Sequence, residues 1–237
     1  MTILEVEKID TFYGKSHILH SISLTMESGQ IVALLGRNGA GKTTTLRSIM
    51  GLTPPKKGTI KFKGKPITGK KPFEIARLGI GFVPEDRAIF PNITAHDNLE
   101  IAVKNSVDGT RNWTLEKIYH YFPDLDKLKE SKGRNLSGGE QQMLTIARTL
   151  MGSPELVLLD EPSEGLAPQI INVVLFNLIK ELREKEGVTI LLAEQNVKFC
   201  LALSDWGYLL DKGAIQYNAS AQEIQGDDEI KRKYLAV

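Results

Sequence analysis

Eight residues, Gly36-Arg37-Asn38-Gly39-Ala40-Gly41-Lys42-Thr43, have the spacing of a loop that wraps phosphate. Glycines let the backbone curl so that successive amides face one anion. A helix starting where the loop ends adds unsatisfied N–H groups and the positive end of its dipole. Lys42 is expected to reach the β- and γ-phosphates of a nucleotide, and the Thr43 hydroxyl to ligate magnesium. With Thr44, these residues form the expected phosphate-binding set.

A second chemical group ends the apolar run Leu156-Val157-Leu158-Leu159 with two adjacent carboxylates, Asp160 and Glu161. Strand geometry sends neighbouring side chains to opposite sides, so the two must divide the labour. Asp160 is placed to hold the magnesium shell, while Glu161 can orient and deprotonate a water attacking the γ-phosphate. A third stretch, LSGGEQQ at 136–142, has Ser137 and Glu140 at capping-box spacing ahead of the apolar stripe Met143, Leu144, Ile146, Ala147 and Leu150. It predicts a well-capped helix, yet Gly138 and Gly139 cost its first turn roughly 1 kcal/mol each relative to alanine. Their benefit is expected to be exposed backbone amides for a close-approaching anion. A single mononucleotide in the first loop leaves this anion site unused, whereas a second copy of the fold could bring its own nucleotide to it.

These groups need a scaffold that gathers strand ends and helix starts. The runs IVALLG (31–36), LVLLD (156–160) and VTILLA (188–193) are nearly continuously apolar, as in strands covered on both faces, and predict a parallel α/β core. The N-terminal segment alternates instead, with Leu4, Val6 and Ile9 on one face, and TIKFKG at 59–64 repeats the pattern, which predicts an antiparallel portion. Ile170, Ile171, Val173, Val174, Leu175, Leu178, Ile179 and Leu182 recur at helical spacing before Gly187, and the stripe is expected to be core packing rather than a lipid or partner surface. From about 86 to 152 no strand is convincing. Helices entered at Thr94 and near Trp113 predict a helical insertion.

Bulk properties exclude several classes. The 237 residues are 41% apolar and 25% charged, an ordinary globular composition, and the formal charge of +1 gives no field for bulk attraction to nucleic acid or an anionic membrane. The single cysteine, Cys200, excludes an intrachain disulfide framework and a multi-cysteine metal site. Its setting, KFCLAL, predicts a small buried side chain in a reducing compartment. No apolar run is long enough to span a bilayer and the N-terminus lacks a basic-then-apolar leader, so a soluble protein that docks onto something else is expected. The four histidines lack metal-ligand spacing and suit surface or turn roles, Trp113 and Trp206 are expected packing anchors, and the tail QGDDEIKRKYLAV is expected to be a solvated packing helix.

Phosphate loop, LSGGE, LVLLDEP and the downstream EQN follow one another in the order and approximate spacing of the ATP-binding cassette ATPases, which the chain resembles over essentially its whole length. The resemblance implies a P-loop NTPase core of the α/β class with a mostly parallel sheet, an N-terminal antiparallel β subdomain and an inserted helical subdomain. These would form one ATPase domain over 1–237, the core from about 1–85 and 153–237 and the helical part from about 86–152. It also implies hydrolysis of ATP with Mg2+ by two cassettes packed head to tail, each ATP lying between one subunit's phosphate loop and the other's LSGGE turn. On the matching positions, Tyr13 in FYG is the aromatic that stacks on adenine. Ser137, Gly138 and Gly139, with Glu140, belong to the turn that meets the γ-phosphate in trans. Lys42, Glu161 and Gln195 are the implied catalytic set, and Thr43, Glu85 and Asp160 the implied magnesium set.

Three positions depart from the commonest pattern of that family. Glu85 stands where a glutamine is usual and adds negative charge. Gln195 stands where a histidine commonly contacts the γ-phosphate, and it can donate an amide hydrogen bond but cannot carry a protonic charge. Ala167 replaces an aspartate that makes an inter-subunit contact. Together VPEDRAIFP, PSEGLAP and AEQN resemble the ATP-binding subunits of branched-chain amino acid importers. That branch implies a second, usually different cassette, with a homodimer as the variant case. It further implies two integral-membrane permeases, an extracytoplasmic solute-binding protein and a peripheral position on the cytoplasmic face of the membrane. Cassettes for urea or short amides have similar loops. A cassette ATPase acting on ribosomes or DNA is the alternative of another class, but the long coiled-coil or basic insertion usual there is missing from this sequence.

Overall fold

The structure, a computed structural model, describes residues 1–105, 109 and 112–235. Along the chain, β1 (Thr2–Tyr13) and β2 (Ser16–Glu27) form a hairpin, and β3 (Ile31–Leu35) leads into α1 (Lys42–Ile49). Next come β4 (Lys57–Phe62), β5 (Lys65–Pro66), α2 (Pro72–Arg77) and β6 (Ile80–Val83). A helical stretch follows, with α3 (Ala95–Glu100), α4 (Leu115–Tyr121), α5 (Pro123–Lys127) and α6 (Gly138–Leu150). The chain returns through β7 (Leu156–Asp160), a π-helical turn (Ile170–Leu175), α7 (Phe176–Glu184), β8 (Thr189–Glu194) and α8 (Val197–Leu203). It ends with β9 (Trp206–Asp211), β10 (Ala214–Ser220), α9 (Ala221–Gly226) and α10 (Asp228–Ile230), running into a last π-helical turn (Lys231–Leu235).

Two sheets result, an antiparallel one in the order β2-β1-β4-β5 and a larger one in the order β10-β9-β3-β8-β7-β6. In the second, β9, β3, β8, β7 and β6 run parallel and only β10 pairs antiparallel. The three continuous apolar runs are its centre, and alternate residues serve opposite layers. Ile31, Ala33, Leu35, Val157, Leu159, Ile190 and Leu192 pack with α6, α7 and α8, while Val32, Leu34, Leu158, Leu191 and Ala193 pack with α1 and the antiparallel sheet. Both faces being covered removes the need for polar alternation.

Local chemistry explains the remaining elements. Thr94, Ser137 and Ser220 accept from the amide three residues on, in capping boxes closed by Asp97, Glu140 and Glu223. Leu4, Val6 and Ile9 are all buried although the last two are an odd number of residues apart; the register slips between them, with Lys8 at φ 47, and this bulge turns Ile9 back to the inner face. Cys200 is fully buried, Trp113 is buried, and Trp206 packs partly against the core. In the tail, Ile230 and Tyr234 pack partly against the core, and its last two residues lie outside the described set.

The expectation that the stripe after Ile170 is core throughout needs correction. Leu175, Leu178, Ile179 and Leu182 are buried, but Val173 is 57% and Val174 49% exposed. The segment through Leu175 is π-helical, and its wider turn shifts the helical phase so that these two valines leave the buried face.

One turn ties both sheets to the phosphate loop. Gly213, between β9 and β10, accepts from the His20 amide of β2 at 2.7 Å and donates its own amide to the Ala40 carbonyl at 2.9 Å. It has φ 77, and a Cβ there would lie 1.9 Å from the Ile18 carbonyl oxygen. Gly213→Ala is therefore expected to lower stability by about 2–4 kcal/mol and the thermal midpoint by about 5–10 °C. An unchanged calorimetric midpoint would show that this junction relaxes freely.

Candidate functional site

The phosphate loop joins β3 to the N-terminus of α1, as its spacing requires, with Gly39 at φ 77 and Gly41 at φ 113 as the helix N-cap. No side chain caps that helix start, which leaves its amides for a ligand. Buried Lys42 folds back over the loop: its Nζ donates to the Gly36 carbonyl at 2.8 Å and the Arg37 carbonyl at 3.2 Å, and pairs with Glu161 Oε1 at 2.9 Å. The Arg37 side chain and Asn38 are exposed, and Ala40 is buried.

Adjacent strand ends bring the acids to this loop. Leu35 is in register with Glu194, and Asp160 with Ala193. Asp160 accepts from Thr43 Oγ1 at 3.0 Å. Burial pushes its carboxyl up to about 6, reinforced by the negative charges of Glu161 and Glu85 and only partly countered by Thr43 and Lys42. Glu161 lies just past the strand at φ 45, and this left-handed backbone turns it toward Lys42. Its Oε2 accepts from Gln195 Nε2 at 3.4 Å. The carboxyl of Glu164 rises because it hydrogen-bonds to Glu161.

A cavity of about 420 Å3 opens beside these groups, lined by Asn38, Gly39, Gly41, Lys42, Thr43, Thr44, Glu85, Glu161 and Tyr13 among others. Tyr13, 46% exposed at the end of β1, lines it together with the phosphate loop, Thr43, Glu85 and Glu161, while Asp160 is joined to it through Thr43. The oxygen donors suit a hard divalent cation: Thr43 and Asp160 are neighbours, and the positive charge of Lys42 only partly compensates the buried carboxyl. Among the described residues no group of three or more His, Cys, Asp or Glu could cage a metal alone. One or two protein oxygens completed by phosphate and water is the arrangement that Mg2+ favours.

Ser137, Gly138, Gly139 and Glu140 do not line that cavity. They begin α6, where the Ser137 amide donates to Glu140 Oε2 at 2.7 Å and the Glu140 amide to Ser137 Oγ at 3.4 Å. The two glycines also have a packing reason that periodicity did not reveal. A Cβ on Gly138 would come within 2.8 Å of the Arg87 guanidinium, and one on Gly139 within 2.8 Å of Ile170 Cδ1. Arg87, at φ 61, is held through its carbonyl by Thr145 Oγ1, and the nearby Phe90 backbone is held on both sides by Asn98 at 2.9 and 3.0 Å. A functional residue that the motifs do not mark is Glu194, the last residue of β8, whose carboxylate is buried and accepts three backbone amides. The available signal was an ionisable residue ending an otherwise apolar strand.

Comparison with known proteins places these features in a family. The family described as ABC transporter matches residues 19–164. The chain is 38% identical over 233 residues to the high-affinity branched-chain amino acid transport ATP-binding protein BraG of Pseudomonas aeruginosa, covering 98% of this chain and 99% of that one. It is 32% identical over 237 residues to the lipopolysaccharide export system ATP-binding protein LptB of Haemophilus influenzae, covering 99% and 98%. The crystal structure of a nucleotide-free ATP-binding cassette from an ABC transporter superposes with a TM-score of 0.82 at 27% identity, covering 97% of each chain.

The buried carboxyl has a measurable signature. Because the folded protein holds the Asp160 proton more tightly than the unfolded chain does, the penalty is absent below the usual value of 3.8 and complete above about 6. Asp160→Asn is thus expected to stabilise the nucleotide-free protein at pH 8 by up to about 3 kcal/mol, with the gain shrinking toward pH 4. Denaturant titrations at both pH values check this, and a gain independent of pH would contradict it.

Proposed function

The chain belongs to the ABC transporter family, and from that premise we propose that it is the ATPase subunit that energises uptake of branched-chain amino acids through partner permeases. It is an ABC transporter ATPase subunit, and cassettes of this family bind ATP, pair with one another and work with membrane permeases. The observation that carries the catalytic reading is the contact of Glu161 with both Lys42 and Gln195, where Lys42, Glu161 and Thr43 line the cavity and Thr43 is bonded to Asp160. Tyr13 stacks on the adenine, and the loop amides with Lys42 cradle the β- and γ-phosphates. Thr43 and Asp160, with Glu85 nearby, would hold Mg2+, which supplies positive charge to the phosphate oxygens. Glu161 takes the proton of the attacking water, and the Gln195 amide holds that carboxylate while reaching for the γ-phosphate.

Ser137, Gly138 and Gly139 complete the site of a second cassette. Their position outside this chain's own cavity supports that reading. A paralogous partner that restores the contact missing at Ala167 favours a heterodimer. The segment Glu85–Phe90, with Phe90 51% exposed, would receive a permease helix on the cytoplasmic face of the membrane, and nucleotide-driven closure of the pair would move it. An extracytoplasmic binding protein would deliver the solute. No helix among the described residues is long and apolar enough to cross a membrane, so the passage itself belongs to the permeases in this scheme. The solute reading rests on the near full-length similarity to BraG together with VPEDRAIFP, PSEGLAP and AEQN. Similarity to LptB at 32% identity supports the competing reading of an export cassette.

Cells lacking this protein are expected to lose uptake of labelled leucine, isoleucine and valine and to regain it with the wild-type gene. Unimpaired uptake, with lipopolysaccharide failing to reach the cell surface, would favour the export reading instead, and loss of urea or short-amide uptake alone would reassign the solute. Purified Glu161→Gln is expected to bind ATP normally and to lose about 100-fold or more in turnover. It should accumulate an ATP-held dimer in size-exclusion runs, and wild-type turnover would remove Glu161 from the role of base.

A further inference from the structure

Glu194 is buried with no cationic partner among the described residues, and yet it sits within the field of Glu161. Leaving a carboxylate inside a protein is unfavourable unless its lone pairs are filled. Here they are filled by backbone from two separate loops. Oε1 accepts from the Ser163 amide at 3.0 Å, at the start of the segment Ser163-Glu164-Gly165-Leu166-Ala167-Pro168. Oε2 accepts from the Gln195 amide at 3.1 Å and the Asn196 amide at 3.3 Å. Asn196 in turn caps α8, its side chain accepting from the Phe199 amide at 3.2 Å. On the neighbouring strand, the Glu161 amide donates to the Ala193 carbonyl at 2.9 Å.

One side chain therefore fixes both the backbone of Gln195 and the exit of the chain after Glu161. These are the two pieces that must keep register for the Gln195 amide to meet the Glu161 carboxylate. A purely apolar strand end would leave both loops untied, and a neutral amide would present a donor to at least one N–H. Lys42 and Thr43 bond instead to Gly36, Arg37, Glu161 and Asp160, so the phosphate loop is held by contacts other than Glu194.

We propose that Glu194 is a positioning residue for ATP hydrolysis: its carboxylate clamps the loop at Ser163 to the loop at Gln195 and Asn196, and so holds Gln195 against Glu161. This rests on the reading of Glu161 as base and Gln195 as its companion. The clamp has a consequence for paired cassettes. The segment after Ser163 includes Ala167, where the family resemblance places an inter-subunit contact, so a displacement of that segment by a partner is passed through Glu194 to the residue that orients the base.

The test is a cycle of Glu194→Gln, Gln195→Ala and the double variant in the full-length chain, measuring steady-state ATPase kinetics, ATP affinity by fluorescence and thermal midpoint. Glu194→Gln is expected to lower kcat by about ten- to a hundredfold while KM and ATP affinity change less than about twofold. The double variant should be no slower than the slower single, because both changes break the same contact. Additive losses, an unchanged kcat, or kcat and affinity falling together with the midpoint would each overturn the clamp. A Gln195→Ala variant with wild-type turnover would instead overturn the assignment of Gln195, which separates the two failures. Should the amide variant not fold, Glu194→Asp serves the same test: it keeps the charge but is one methylene too short to span both loops, and it should show the same loss of kcat at constant affinity.

Discussion

Three carboxylates and one ammonium share a single buried neighbourhood, and this charge imbalance is the constraint on which the rest of the molecule is arranged. Among the described residues, Lys42, Asp160, Glu161 and Glu194 are the only buried charged side chains. Lys42 neutralises Glu161, Glu194 is satisfied by backbone amides, and Asp160 is left with a threonine hydroxyl and a carboxyl that holds its proton up to about 6. Removing like charges from water is among the most unfavourable things a fold can do. The site is enclosed by buried apolar strands, and a ligand that brings its own cation would offset the deficit.

The parallel sheet is what makes the arrangement possible. β3, β8 and β7 are neighbours running the same way, so their C-terminal ends deliver the phosphate loop, Glu194 with Gln195, and Asp160 with Glu161 to one edge. Ligands of open α/β sheets bind at that edge for the same reason. The β9–β10 turn braces the phosphate loop from the other side through Ala40, while the antiparallel sheet supplies Tyr13 at the end of its longest hairpin. The Ser137 turn begins α6 and shares none of the cavity wall. Its anion-ready amides and the phosphate loop are thus built as separate halves.

What the sequence made legible was local. Glycine spacing, capping pairs such as Ser137 with Glu140, and the continuous apolar runs depend on neighbours a few residues away, and the structure contains each of them. What escaped depended on contacts made across the fold. Val173 and Val174 fit the helical stripe by count but are rotated outward by a π-helical turn that periodicity cannot register. Gly138 and Gly139 read as amide donors alone because nothing in LSGGE announces that Arg87 and Ile170 press against them. Glu194 carried no signal of its role, since its partners, Ser163 and Asn196, acquire their meaning only when β7 and β8 lie side by side.

In the proposed mechanism, the pairing of Lys42 with Glu161 would also bear on the order of events. The two oxygens of Glu161 are both engaged, Oε1 by the lysine and Oε2 by the Gln195 amide. Each carboxylate oxygen keeps a second acceptor site, so these two contacts orient Glu161 without filling it. Phosphate entering the loop competes for the same ammonium, and each step that draws Lys42 toward the nucleotide releases Oε1 while Gln195 still fixes the other oxygen. In that scheme the carboxylate would lose its ion pair as the substrate arrives and would stay oriented by Gln195. The ion pair that keeps the buried charge tolerable is therefore also the contact that a bound phosphate would loosen, which links the stability of the site to its proposed chemistry.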